Sequence, residues 1–178
     1  PKKDPKEEDR WELDHRPKKG SFWDHLKEVE QDFWGRRFKI YADWKNRWYK
    51  QYRECGYFDT VTGFHEEGLF SRNDVINHPV QGPGFHCLLW SLIQLDWEIL
   101  KQEMDAIIVG QIHDSILGDV PLDEVNDYIN LAKEIMTRRL RKHWDWIIVP
   151  LDIEVEVAET NWYQKVTWVE TNGKWGPK

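Results

Sequence analysis

The dipeptide His113-Asp114 lies between two short apolar runs, Ala106 to Ile112 and Ser115 to Val120, and no other stretch constrains the fold as strongly. Both runs are β-rich and too short for a stable helix, so they predict a strand, a tight polar turn and a returning strand. Asp is an ordinary turn residue, because it hydrogen-bonds its own backbone and tolerates unusual angles. A carboxylate at a hairpin tip is also well placed to hold a metal ion, and the neighbouring sequence decides between the two readings.

The rest of the chain reads as helices around such hairpins. Pro1 to Gly20 is charged, proline-containing and nearly without apolar residues, which predicts a solvated arm or loop. Ser21 to about Cys55 is helical in pattern, with Ser21 as N-cap, Asp24 in the first turn, Gly35 as a point where two helices meet and Gly56 as the stop. Gly63 and Gly68 within residues 57–70 predict a hairpin-like connection. A helix is expected from Pro83 to about Met104, with Phe85, Leu88, Leu92, Leu95 and Ile99 on one face. Another is expected from Leu122 to His143, its closing cations complementing the helix C-terminus rather than contacting a DNA backbone. The strand Leu151 to Val157 puts Ile153, Val155 and Val157 on one face and Asp152, Glu154 and Glu156 on the other. That acidic row is read as a solvated face in preference to a metal site.

Twelve tryptophans are present, several interleaved with Lys and Arg, as a base-stacking surface would be. Trp34, Phe38, Tyr41, Trp44, Trp48 and Tyr52, however, recur at spacings of three and four, so a single buried helical stripe is the expectation. The net charge of −7 opposes a nucleic-acid partner at first sight, but it is unevenly spread. Residues 1–58 carry 15 Lys/Arg against 12 Asp/Glu, and residues 59–178 carry 10 against 20. Cys55 and Cys87 are read as reduced thiols, and His78, His86 and Cys87 as packing groups, since no fourth zinc ligand stands at a suitable spacing. No apolar stretch is long enough to cross a membrane and no signal-peptide pattern is present, so a cytoplasmic protein without a membrane partner is expected.

Upstream of the hairpin runs Arg72-Asn-Asp-Val-Ile-Asn-His-Pro-Val-Gln-Gly82, and downstream come Val149-Pro-Leu-Asp-Ile-Glu-Val-Glu-Val157 and Asn161-Trp162. The ordered set, Asn-x-x-Pro-x-Gln-Gly, Gln-x-His-Asp, Val-Pro-Leu and Asn-Trp, resembles the C-terminal palm of family A DNA polymerases, the DNA polymerase I type, from about Phe22 to Tyr163. The resemblance implies an α+β fold in which a small antiparallel palm sheet carries the His-Asp hairpin and packs against helices, with an N-terminal helical extension from the fingers. It divides the chain into an arm (1–20), a helical segment with a connecting hairpin (21–70), the palm (71–165) and a C-terminal tail (166–178).

The same resemblance implies template-directed nucleotidyl transfer with two Mg²⁺ ions, primer-template DNA and dNTP. Asp114 matches a principal metal-binding aspartate, and the glutamate that usually follows it is Ser115 here. His113 and Gln111 would lie near the primer end. Asn77 and Gln81 match positions touching the template and the minor groove, whose acceptors amide groups can probe without reading sequence. Arg72 or Asn73 falls where a basic residue contacts the primer strand, and Asn73 is the matching position. The alternative reading is that Asn77 and Gln81 simply cap the helix expected from Pro83.

The family's Asp-Tyr-Ser-type and Arg-x-x-x-Lys-x-x-x-x-Tyr-Gly-type motifs do not occur here. The expectation is therefore a C-terminal polymerase part completed by an N-terminal polypeptide, as in split bacteriophage polymerases, in a bacterial or phage-infected cell. The polar arm fits a natural loop end, and a truncated fragment would look the same. The competing reading is a non-catalytic primer-template DNA-binding or assembly module. A nuclease finds no support in a second acidic motif. An isolated fragment of this kind is expected to be inactive and to cover its Trp-rich helices poorly.

Overall fold

Two helices dominate the first part of the computed structural model, which describes residues 20–178; the arm expected over residues 1–20 lies, Gly20 apart, outside the described residues. The chain divides into two compact units, Pro1–Gly56 and Tyr57–Lys178. The first contains α1 (Phe22–Asp32), a π-helical turn (Phe33–Arg37) and α2 (Lys39–Cys55). Ser21 caps α1, its Oγ accepting from the Asp24 N–H at 3.3 Å while the Asp24 carboxylate accepts from the Gly20 N–H at 2.8 Å. The break expected at Gly35 is the wide π turn around it, which ends at Phe38 with φ −116° and ψ 33°. Gly56 closes α2 in the left-handed region at φ 83° and donates its N–H to the Tyr52 carbonyl.

The expected buried stripe is not found. Of its six rings only Tyr52 is buried; Trp34, Trp44 and Trp48 are half-buried, and Phe38 and Tyr41 are exposed. Helical periodicity aligns rings on one face, but alignment alone does not supply a covering element. Here Tyr41 and Trp44 stack on each other at 5.4 Å, and Trp44 and Trp48 at 5.9 Å.

The second unit opens with a hairpin of β1 (Tyr57–Asp59) and β2 (His65–Glu67), followed by the 30-residue helix α3 (Arg72–Lys101). This helix starts eleven residues before the expected Pro83. A capping box fixes the start: Ser71 Oγ accepts from the Asp74 N–H and the Asp74 carboxylate from the Ser71 N–H. Pro79 and Pro83, which normally interrupt a helix by removing an N–H and crowding the preceding turn, lie inside it. Burial outweighs that cost, since Val75 is fully buried and Ile76 and Pro83 are buried as well. The β1–β2 hairpin lies along these early turns: Phe58 and Phe70 both meet the His78 ring edge-on, and Phe64 stacks on His86 at 3.6 Å and 12°.

The predicted hairpin is present as β3 (Ile107–Ile112) and β4 (Ser115–Asp119), paired antiparallel with a register shift between Ile108 and Gly110. Its inner face meets the end of α3. Ile108, Ile116, Trp90, Met104 and Tyr128 surround a core of Leu95, Ile99, Leu131, Ala132 and Ile135. The helix expected over 122–143 runs as α4 (Val125–Lys133), a π-helical stretch (Glu134–Arg139) and α5 (Leu140–His143). Arg139 bridges Glu98 at 2.8 Å and Glu134 at 3.0 Å, tying this helical run to α3.

Residues 151–157 keep the predicted alternation, with Ile153, Val155 and Val157 toward the core and Glu154 and Glu156 exposed, although only β5 (Val155–Val157) joins a ladder. Asn161 caps a 3₁₀ turn (Trp162–Gln164). Residues 166–178, expected as a tail, instead form β6 (Val166–Thr171) and β7 (Lys174–Pro177) in a sheet of order β5-β6-β7. The Asn172-Gly173 pair, both at positive φ, makes the two-residue turn between them. Trp175 carries the hairpin into a second core with Val125 and Ile129. The α+β class holds, with the small antiparallel sheets β1–β2, β3–β4 and β5–β6–β7 set among helices.

Candidate nucleic-acid and metal site

The β3–β4 ladder ends at the pair Ile112–Ser115, so His113 and Asp114 are the whole of the turn. A two-residue hairpin loop needs positive φ at its first position to match the twist of the strands, and glycine normally stands there. His113 occupies it at φ 52°. A side chain in that region costs about 1–2 kcal/mol relative to glycine. The Gln111 side-chain amide donates to the His113 carbonyl, bracing the turn from the preceding strand. Gln111, His113 and Asp114 are therefore brought together at one exposed tip, followed by the exposed Ser115.

The base of the hairpin is fixed as firmly. Glu124 accepts from the N–H groups of Asp105 and Ala106, each at 3.0 Å, which anchors the approach to β3 at the start of α4. Gly118 in β4 lies under the Tyr128 ring, where a Cβ would come within 2.5 Å of the hydroxyl. The turn thus projects from a rigid support.

The other sequence-selected residues lie elsewhere, on the first turns of α3. Asn73, Asn77 and Gln81 fall four residues apart, on one exposed stripe that drifts slowly around the helix, with Arg72 beside its start. Because α3 begins at Arg72, Asn77 and Gln81 are interior helical residues and not caps for a helix starting at Pro83. The stripe therefore presents three amide side chains to solvent over about 12 Å, at 1.5 Å per residue.

Behind the stripe are groups that the sequence reading treated as packing. His86 Nδ1 lies 2.6 Å from Thr62 Oγ1, and burial lowers the basicity of this imidazole against a weaker opposing pull from Glu66. His78 Nδ1 is 3.6 Å from a Glu66 carboxylate oxygen. Cys87 is half-buried, and burial raises its pKa. Among the described residues no group of three or more His, Cys, Asp or Glu side chains is arranged to hold a metal ion, and no helix is long and apolar enough to cross a membrane. Asp114 therefore belongs to no such group among the described residues.

Residues 29–164 match the sequence profile described as DNA polymerase family A. DNA polymerase I of Lactococcus lactis subsp. cremoris is 30% identical over 95 residues, covering 53% of this chain and 10% of that protein. DNA polymerase I of Aquifex aeolicus is 28% identical over 132 residues, covering 71% of this chain and 22% of that protein. The chain therefore spans 10% to 22% of the length of these two relatives. The solved POL domain of Pol1 from M. smegmatis, in complex with DNA primer-template and dNTP, shares the fold with a TM-score of 0.54 at 21% identity, over 74% of this chain and 26% of that one.

Proposed function

The chain belongs to DNA polymerase family A, and from that membership we propose that it forms the C-terminal palm part of a DNA-directed DNA polymerase, working in the cytoplasm of a bacterial or phage-infected cell. The observation that carries the reading is the hairpin tip, where a strained His113 holds Asp114 out from a braced, exposed turn.

In this reading Asp114 contributes one carboxylate to a pair of Mg²⁺ ions, and the remaining ligands come from polymerase sequence outside this segment, either a separate N-terminal polypeptide or another part of one enzyme. Bound there, the ions would stabilise the charge developing on the attacking 3′-hydroxyl and the departing pyrophosphate. The chain's own residues do the positioning. His113 lies against the primer end, and Gln111 holds the turn that presents it. Asn77 and Gln81 reach the minor-groove acceptors that every base pair offers, while Asn73 and Arg72 approach the primer strand. Ser115, in place of the usual glutamate, leaves the tip one negative charge poorer. Exposed Ile107, Val109 and Ile112 on the hairpin, with Trp97 and Leu100 on α3, form apolar surface of the kind that another part of a polymerase would cover.

The test is primer extension with Mg²⁺ and four dNTPs, using this chain alone, with the matching N-terminal polymerase polypeptide, and with that polypeptide plus Asp114→Asn. Synthesis is expected only in the wild-type mixture. Absence of synthesis in every mixture, with the partner shown to bind, would leave a non-catalytic primer-template DNA-binding module.

A further inference from the structure

Residues 36–53 carry seven Lys and Arg against the single acid Asp43, a balance of +6 within a chain of −7. The hairpin chemistry uses none of them. At the start of this segment lies a groove of about 600 Å³ whose lining includes Arg36, Lys39 and Arg47 together with Phe38, Tyr41 and Trp44. The rings are ordered and available: Tyr41 and Trp44 stack within 18° of parallel, Lys45 Nζ sits 3.5 Å from the Trp34 ring centre, and Phe38 and Tyr41 are 47% and 39% exposed. Arg36 and Arg37 pair with Asp32, and Lys39 with Asp43, but all five side chains are at least one-third exposed or nearly so. Such pairs hold weakly, so these cations can exchange a carboxylate for a phosphate.

We infer that this groove binds single-stranded DNA. Phe38, Tyr41 and Trp44 form the platform on which bases stack, and Arg36, Arg37, Lys39 and Arg47 follow the backbone. A positive track beside flat aromatic faces is the combination that single strands require. A duplex keeps its base faces stacked on one another and would engage the cations alone. The choice of strand rests on the polymerase reading: in that enzyme the ligand is the unpaired template.

The complete chain is titrated by fluorescence anisotropy into labelled dT20 and into a blunt 20-base-pair duplex, at several salt concentrations. Trp44→Ala and Tyr41→Ala are each expected to weaken dT20 binding by about 10-fold, within the range for loss of one stacked base, and to leave duplex binding unchanged. Lys39→Gln with Arg47→Gln, at exposed positions where folding is not at stake, should reduce the salt slope for dT20 by about 1.4, two lost phosphate contacts at about 0.7 each.

Unchanged dT20 binding in the aromatic and the charge variants would overturn the inference, as would equal losses for dT20 and duplex. A polyglutamate peptide bound more tightly than dT20 would assign the groove to an acidic protein segment instead. Primer extension separates the two readings: synthesis that persists when dT20 binding is absent retains the polymerase and discards the groove, whereas the expected dT20 pattern without synthesis retains the groove and discards the polymerase.

Discussion

Replacing Trp175 tests whether the C-terminal hairpin is part of the core or an ornament on it. The indole is 8% exposed, packs with Val125 and Ile129, and donates Nε1–H to Asn130 Oδ1 at 2.9 Å. The backbone N–H of the same residue donates to Asn126 Oδ1 at 2.7 Å, so side chain and backbone grip one face of α4. A buried aromatic ring of this class removes about 150–250 Å² from water, worth about 4–6 kcal/mol at about 25 cal/mol per Å². Allowing for a compact unfolded chain lowers this to about 3–5 kcal/mol, in line with the measured range for large aromatic truncations. Trp175→Ala is therefore expected to destabilise the second unit by about 3–5 kcal/mol. Trp175→Phe, which keeps most of the apolar area and loses the indole hydrogen bond, should cost about 1–2 kcal/mol. Urea unfolding followed by far-ultraviolet circular dichroism measures both without relying on the other eleven tryptophans. A cost below about 1 kcal/mol for Trp175→Ala, or equal costs for the two variants, would refute the assignment of this ring to the core.

Three further outcomes are expected. His113→Gly should raise stability by about 0.5–1 kcal/mol, because glycine accepts the left-handed turn position freely, and should lower primer extension in the completed enzyme; parallel urea and extension measurements reveal both. Gly118→Ala should destabilise by about 1–3 kcal/mol through the clash with Tyr128. Adding Tyr128→Phe should recover part of that loss in a double-mutant cycle, since the buried Tyr128 hydroxyl has no hydrogen-bond partner among the described residues. His86 should titrate below its ordinary value of 6.5 by NMR. The unfolded chain then takes up this proton first as pH falls, so stability is full above about pH 6.5, declines below it, and levels off once the folded imidazole is protonated. His86→Gln should flatten that decline.

Short-range features of the sequence located the signals that act within one turn or one ladder pair. The Ser21 cap, the Gly35 break, the Gly56 stop and the two-strand frame around His113-Asp114 all follow from local backbone chemistry. So does the alternation of Ile153, Val155 and Val157. Two local signals carried more than was taken from them: Ser71 and Asp74 spell the capping box that starts α3, and Asn172-Gly173 spells the turn that makes β6 and β7. The family motifs named Gln111, His113, Asp114, Arg72, Asn73, Asn77 and Gln81, but not how they are grouped.

Only tertiary structure decided the rest. Proline in a helix is unfavourable locally, so whether α3 runs through Pro79 and Pro83 depends on the burial gained by Val75, Ile76 and Pro83 against partners outside the helix. The aromatic stripe on α2 has the same period whether it is covered or open, and coverage depends on which element arrives. Strand β6 pairs with β5 across the 3₁₀ turn, and Trp175 finds Asn130 45 positions away in the chain. Local sequence fixes backbone preference within a few residues. Burial is a property of what meets what after the chain has closed on itself, and it determined which preferences were overridden and which faces were left for a ligand.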